Sequence, residues 1–257
     1  MQLEQSLRQL RLPSFIANYS SVATEIEQQK NISLVEYLEA LVQLELESRA
    51  QNKVARLVKK AGLHNHKLLV EFELNEVPSL LPSKLYELAQ GAFIDRVENL
   101  LIFGATGTGK THLCSGLAHK WCLLGKRVYY TKAGNLAAEL ASAQATSTTL
   151  ELRKKLDKND VIIIDDLLLY QYTKTEQALL MNLLSDYYEI KSLVISAHLP
   201  FARWSEALNN ELAVMMVVDK LVHHSIIVEL NTESYRAKQA KKKQLNLEGK
   251  QKTINDN

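Results

Sequence analysis

Two cysteines, Cys114 and Cys122, are all the chain contains. They stand eight apart in a stretch of helical period, with no CxxC pair and no ligand spacing for zinc, so a disulfide framework and a zinc ribbon are excluded and both are expected as buried thiols. Long apolar runs are missing too. None approaches the roughly 18 residues a membrane span requires, and no contact with a membrane is expected. The opening "MQLEQSLRQLRLPSF" lacks a continuous apolar core followed by a small-residue cleavage site, so it does not read as a secretory signal, and a cytoplasmic protein is expected. Charge of one sign is scarce overall, with a net of +2, but it is unevenly placed. Residues 232–257 carry seven Lys/Arg against Glu233, Glu248 and Asp256, a net of +4 that leaves −2 on the rest. Such a tail suits contact with a polyanion or a solvated chain end, and charge alone does not choose.

What is present changes period partway along the chain. Phe15, Tyr19, Val22 and Ile26 recur at helical spacing after Pro13 and Ser14. A second helix opens at "SLVE", where Ser33 and Glu36 have capping-box spacing, and its apolar positions run from Leu34, Leu38 and Leu41 to Leu57 and Val58 before Gly62 stops it. Arg49, Lys53, Arg56 and Lys60 fall at i, i+4, i+7 and i+11 along its basic second half, behind an acidic first half with Glu36, Glu39, Glu45 and Glu47. That order complements the helix dipole, so the stripe reads either as a well-arranged surface or as a face that tracks phosphates. The segment around His64, His66, Pro78 and Pro82 breaks the pattern and marks a boundary; a lone His-x-His in a loop reads as surface. The expected organisation is a helical N-terminal domain over 1–66, a linker and leading helix over 67–98, an α/β core over 99–231, and a C-terminal segment over 232–257.

From Asn99 onward, "NLLIF", "RVYYT", "DVIIIDD", "SLVIS" and "SIIVEL" alternate with amphipathic segments of helix length. Strands this apolar imply a parallel sheet covered on both faces. "ASAQATSTT", residues 141–149, is of low complexity and is expected as a loop or a frayed helix end. Trp121 and Trp204 are expected to pack in the core. His223 and His224 have no carboxylate or cysteine at ligand spacing and carry no assignment.

The chemistry concentrates where the first strand meets the next helix. "GATGTGKTHL" satisfies G-x-x-x-x-G-K-[ST] through Gly104, Gly109, Lys110 and Thr111, in the required strand–loop–helix context. Glycines let successive N–H groups turn inward onto phosphate oxygens, and the helix N-terminus adds its positive end. Gly104, Ala105, Thr106, Gly107, Thr108, Gly109, Lys110, Thr111 and His112 are therefore the candidate triphosphate-binding stretch, with Lys110 for the β/γ-phosphates and the Thr111 hydroxyl for Mg²⁺. "VIIIDDLLLY" ends a buried strand in two carboxylates, a costly placement without a positive neighbour. Asp165 suits the Mg²⁺-holding position, and Asp166 the position from which an attacking water would be polarised. A guanine-reading N-K-x-D is missing, which argues against a GTPase, and a separate basic helical domain argues against a small-molecule kinase.

Beyond these motifs, "LRLPSFIANY", "EYLEALVQLELESR", "GAFIDRVENLLIFGATGTGKTHL", "HLPFARW" and "DKLVHHSIIVELNTESYR" follow one another in an order that resembles the IstB family. That family comprises AAA+ helper ATPases of insertion-sequence transposition, related to DnaC-type helicase loaders and to the initiator DnaA. The resemblance covers nearly the whole chain. It implies a P-loop NTPase (AAA+) parallel sheet with flanking helices, preceded by a small all-helical domain. It also implies an ATP-dependent homo-oligomer, ring or helical filament, that grips double-stranded DNA, selects a target and recruits the transposase of the same element. A helicase loader and a slowly hydrolysing ATP-gated DNA clamp are the alternative readings. Arg49, Lys53, Arg56 and Lys60 become candidate DNA contacts. His198 stands where the family has a sensor-strand Asn, and Lys220 where it has an arginine that reaches a neighbouring subunit's nucleotide; both are candidate catalytic residues. Lys lacks the planar fork of Arg, so slow turnover is implied. Asp186 and Tyr187 stand where relatives often have arginines, and Ser234, Tyr235 and Arg236 match the sensor-2 pattern, making Arg236 a candidate nucleotide contact.

Overall fold

The structure, a computed structural model, describes residues 2–28, 33–63, 67–232 and 234. The chain divides into two units, Met1–Arg56 and Leu57–Asn257. Arg236, nearly all of the basic C-terminal segment, and His64 and His66 lie outside the described residues.

The first unit is helical: α1 (Gln2–Gln9), α2 (Pro13–Gln28) and most of α3 (Leu34–Lys60). Arg11 takes a left-handed backbone (φ 56) to turn the chain between α1 and α2, and Pro13 then occupies the first turn, where its missing N–H costs nothing. Ser33 and Glu36 form the reciprocal cap expected of them, at 2.6 and 3.2 Å. A buried acid holds the unit together. Glu45, on α3 and 4% exposed, accepts the Ser14 N–H at the start of α2 at 2.9 Å and the Arg49 Nε–H at 2.8 Å. Arg49 also donates to the Arg11 carbonyl at 2.8 Å. The apolar row expected to be core is only partly so: Leu41 is buried, whereas Leu34 and Leu38 are exposed. Leu57 and Val58 pack into the core of the second unit.

In the second unit, two short 3₁₀ turns (Leu69–Glu71 and Leu74–Glu76) precede α4 (Pro82–Gln90) and α5 (Ala92–Asp95). There follow β1 (Asn99–Phe103), α6 (Lys110–Leu123), β2 (Val128–Lys132), α7 (Ala133–Ala145), α8 (Thr149–Asp157) and β3 (Val161–Asp165). α9 (Lys174–Asp186), β4 (Ser192–Ala197), α10 (Trp204–Ala207), α11 (Glu211–His223) and β5 (Ser225–Glu229) complete it. All strand pairs are parallel, in the order β2-β3-β4-β1-β5. β1, β3 and β4 are covered on both faces, which is why they read as unbroken apolar runs.

Alternate residues serve opposite layers. Leu101, Ile162, Ile164 and Ile195 pack with α7, α8, α9 and α11, while Leu100, Ile102, Ile163 and Val194 pack with α4, α5 and α6. Trp121 is fully buried, stacks edge-on against Phe93 at 5.4 Å and donates its indole N–H to the Leu88 carbonyl at 2.9 Å. Trp204 likewise donates to the Leu199 carbonyl at 3.1 Å. Both cysteines are buried, and burial pushes the Cys122 thiol up to about 11. Of the two readings of residues 141–149, loop or helix end, the structure has the helix end: α7 runs to Ala145, Ser147 turns the chain at φ 58, and α8 begins at Thr149. The helix persists there because Ala143 faces the core. Residues 67–98, expected as a linker and leading helix, supply Phe72, Val77, Leu80, Leu88 and Phe93 to that core. Among the described residues, no helix is long and apolar enough to cross a membrane.

Burial raises the Glu45 carboxyl, but the Arg49 and Ser14 hydrogen bonds outweigh it and hold the group below its ordinary 4.5. Its stabilisation is thus fully present above that value and is lost as pH falls through the lower folded value. Glu45→Gln should remove this part of the acid sensitivity, and Glu45→Ala should weaken the three-helix unit by about 2 kcal/mol. Amide hydrogen exchange in α1–α3 at stepped pH reads both; an unchanged slope in Glu45→Gln would rule the assignment out.

Candidate functional site

The sheet order brings the two sequence motifs together without making their strands neighbours. β4 lies between β1, which leads into the glycine loop, and β3, which ends in Asp165. The loop Gly104–Gly109 leaves β1 and ends at Gly109 (φ 97), directly before α6. Gly107 has φ 89, a left-handed backbone that favours glycine, and a Cβ on it would crowd the Ser234 hydroxyl. A Cβ on Gly104 would lie 2.5 Å from the Leu230 carbonyl. Inside the turn, Thr108 donates to the Ala105 carbonyl at 2.9 Å, and the Lys110 ammonium donates to the carbonyls of Gly104 and Ala105 at 2.7 and 2.9 Å. Lys110 is 5% exposed, which puts a buried cation at the N-terminus of a 14-residue helix. Charge and helix end together favour an anion.

Asp165 is fully buried. A carboxylate in that position is tolerated only if its oxygens are engaged. Tyr130, on β2, donates its hydroxyl to Asp165 Oδ2 at 2.7 Å, and Ser196, at the end of β4, donates to Oδ1. The same Ser196 oxygen accepts the Asp166 N–H at 2.8 Å, and the Ser196 carbonyl accepts the Leu167 N–H at 2.8 Å. One side chain therefore fixes both acidic residues. The bond to its N–H anchors Asp166 in a left-handed backbone, φ 59. Burial, with the charges of Asp165 and Asp166 nearby, pushes the Tyr130 hydroxyl far above its ordinary range, which favours its donor form. Cys114, behind it on α6, is raised by the same causes and is inert. Tyr130 and Ser196 were not singled out in the sequence because their roles depend on strand order.

Asp166, Thr106 to His112, Leu169 and Thr232 line a pocket of about 500 Å³. Its far wall comes from Lys67, Glu71, Phe72, Glu73, Glu76 and Val77. This wall was the unexpected part of the site. His112 ties it down: one ring nitrogen, Nε2, is 2.9 Å from the Leu68 carbonyl, and the ring meets Phe72 edge-on at 5.5 Å. Phe72 also sits 3.1 Å from where a Cβ on Gly109 would stand. Its signal in the sequence was one aromatic among acids, too weak to read without the fold.

His198 directly follows β4, and its buried Nδ1 has no hydrogen-bond partner among the described residues. Lys220 is not brought to the loop. Leu221 and His224 hydrogen-bond Asn99 at the start of β1, whereas the loop follows its end. The Lys220 ammonium donates to Ser185 at 2.8 Å and lies 6.0 Å over the Tyr188 ring. Asp186 pairs with Arg153, and Tyr187 donates to Asp157 at 2.9 Å, so neither substitutes for an arginine at the pocket. On α3, Arg49 is committed to Glu45 and Arg11, while Lys53, Arg56 and Lys60 are exposed.

The residues fit a nucleoside triphosphate and its cation: the glycine cradle has room only for backbone, Lys110 supplies the charge, and the Thr111 hydroxyl and Asp165 are oxygen donors of the kind Mg²⁺ takes. Gly107→Ala should abolish nucleotide binding, read by fluorescence titration with a labelled ATP analogue. Ser196→Ala strands a buried carboxylate oxygen and the Asp166 N–H and should cost about 1–3 kcal/mol, with Tyr130→Phe costing less than Ser196→Ala. Thermal melts give the order, and a Tyr130→Phe protein less stable than Ser196→Ala would contradict it.

Known proteins bear on this geometry. The family described as IstB-like ATP binding protein matches residues 5–243. An insertion sequence ATP-binding protein of Sinorhizobium fredii is 31% identical over 235 residues, covering 91% of this chain and 78% of that protein. The ATP-binding protein of insertion sequence IS5376 from Geobacillus stearothermophilus is 30% identical over 233 residues, covering 90% and 91%. Among solved structures, AMPPCP-bound DnaA from Aquifex aeolicus has a TM-score of 0.54 at 22% identity, over 70% of this chain and 55% of that one, a likeness of fold. Glycine loop, acidic strand end, strand order and nearly full-length match agree: this chain belongs to the IstB-like ATP-binding proteins, with an AAA+ P-loop fold.

Proposed function

We propose that the chain hydrolyses ATP and uses the cycle to assemble on duplex DNA and deliver a transposase. The observation that carries the reading is the Ser196 clamp: it holds Asp165 at the strand end and turns Asp166 into the pocket that Lys110 and Thr111 line. In this reading Lys110 and the loop N–H groups bind the phosphates. Asp166 takes a proton from a water whose oxygen attacks the γ-phosphorus as the bond to the β–γ bridging oxygen breaks, releasing ADP and phosphate. Mg²⁺, held by Thr111 and through its water shell by Asp165, would neutralise phosphate charge. His198 Nδ1 would find its missing partner in the γ-phosphate or the water, and Arg236 would contact the nucleotide from the C-terminal segment.

Lys220 faces away from this chain's own loop, so any part it takes in turnover is in a neighbouring copy, within a ring or filament. A single ammonium there replaces a guanidinium fork whose contribution in P-loop enzymes is on the order of a thousandfold or more, and slow hydrolysis follows. Duplex DNA is the polyanion that Lys53, Arg56 and Lys60 suit, through its backbone and without base reading. Arg49 contributes least, being committed inside its unit. The insertion-sequence names of the relatives support a transposase, rather than a helicase, as the partner.

Phosphate release with and without duplex DNA tests the chemistry. Asp166→Asn should keep ATP binding and lose about a hundredfold or more in turnover, whereas Lys110→Ala should lose binding. Turnover unchanged in Asp166→Asn would refute the assigned base. Changing Lys53, Arg56 and Lys60 together to Gln should lower the slope of log affinity for DNA against log salt by about 2–3. A slope equal to the parent's would remove the stripe from the interface.

A further inference from the structure

At the end of the sheet opposite the glycine loop, α9 gives way to a turn closed by the Tyr187 carbonyl, which accepts the N–H groups of Ile190 and Lys191 at 3.1 Å each. Glu189 sits in this turn with a left-handed backbone, φ 54. The end of α11 brings His223 and His224 to the same corner, anchored where the His224 carbonyl accepts the Asn99 N–H at 2.7 Å as β1 begins. The carboxylate that the sequence did not offer these histidines at ligand spacing is thus supplied in space.

We propose that Glu189, His223 and His224 bind a divalent transition-metal ion, Zn²⁺ by preference. One oxygen of Glu189 and one ring nitrogen of each histidine lie within 4.8 Å of one another. His224 Nε2 is 3.2 Å from Glu189 Oε1, and the two imidazoles meet edge to face at 4.7 Å. Tyr188 holds the His223 ring through its Nδ1 at 3.2 Å, an outer contact of the kind that fixes a ligating histidine. Tetrahedral zinc places its ligands about 3.4 Å apart, so the widest separation in the trio has to close by about 1.4 Å at most. All three side chains are exposed, so they can do this without disturbing the core.

Two imidazole nitrogens and one carboxylate oxygen form a donor set that suits Zn²⁺, Co²⁺ or Ni²⁺. Mg²⁺ prefers oxygen and keeps its waters, so the cation of the nucleotide site does not compete. Three protein ligands leave the remaining position to water. A bound ion would join the turn after α9 to the end of α11, where Lys220 already lies over Tyr188.

Untagged full-length protein, stripped with a chelator and kept in excess Mg²⁺ without nucleotide, is titrated with Zn²⁺ against a chromophoric competitor. It is titrated in parallel with Co²⁺, followed by its visible d–d absorption. One equivalent should bind. His223→Ala, His224→Ala and Glu189→Gln should each weaken it at least about tenfold with circular dichroism unchanged. Should a histidine variant misfold, the paramagnetically shifted imidazole signals of the unaltered Co²⁺ protein must come from two histidines adjacent in sequence. A His64→Asn/His66→Asn protein is measured alongside. Loss of binding only there, survival through all three changes at the proposed site, or no stoichiometric binding at all would each overturn the proposal.

Discussion

A fully buried carboxylate sets the terms for this molecule. Asp165 ends the third strand with no exposure, and a charge in that position requires donors that the surrounding core has to supply. Tyr130 comes from the strand on one side and Ser196 from the strand on the other, so the sheet order itself satisfies the charge. Ser196 has a second partner in the Asp166 N–H, and through it the sharp turn after the strand is fixed in the same act. Exchanging β4 for another neighbour would leave Asp165 without one donor and Asp166 without its turn. The geometry of the acidic end is therefore a property of three strands.

The glycine loop meets a complementary constraint. Its backbone has to pass close to other backbone and side-chain atoms, with Leu230 and Ser234 on one side and Phe72 on the other, so side chains are excluded where phosphate oxygens would need N–H groups. The segment that carries Phe72 is tied to the first turn of α6 through His112. The loop and the wall facing it consequently form one body, although in sequence they are separated by two helices and a strand. The ligand class follows from the loop, and the shape of the pocket follows from the wall.

In the helical unit the same physics appears on a smaller scale. Glu45 substitutes for a missing cap on α2 and draws Arg49 inward, which removes one cation from a stripe that the sequence presents as continuous. The remaining cations, Lys53, Arg56 and Lys60, stay on the surface. A charge pattern at helical spacing states which residues share a face; it does not state which of them have already found a partner.

Much of the fold was legible in the chain. Unbroken runs such as "VIIID" have to be covered on both faces, and this alone calls for parallel strands between helices. Gly107, Gly109, Lys110 and Thr111 announce a phosphate loop because their constraint is local: positive φ, close approach and a helix start all lie within a few residues. The 141–149 stretch, which the sequence leaves open between a loop and a frayed helix end, shows the converse, since its alanines and serines have no strong local preference and the core contact of Ala143 decided the matter. Tyr130, Ser196, and the meeting of Glu189 with His223 and His224 left no mark in the sequence, and Phe72 only a faint one. Their roles come from neighbours far apart in the chain, and only the folding of the sheet makes them neighbours. Sequence determined the local geometry and the ligand class, whereas tertiary structure decided which donors hold the acids, what walls the pocket, and which charges remain available.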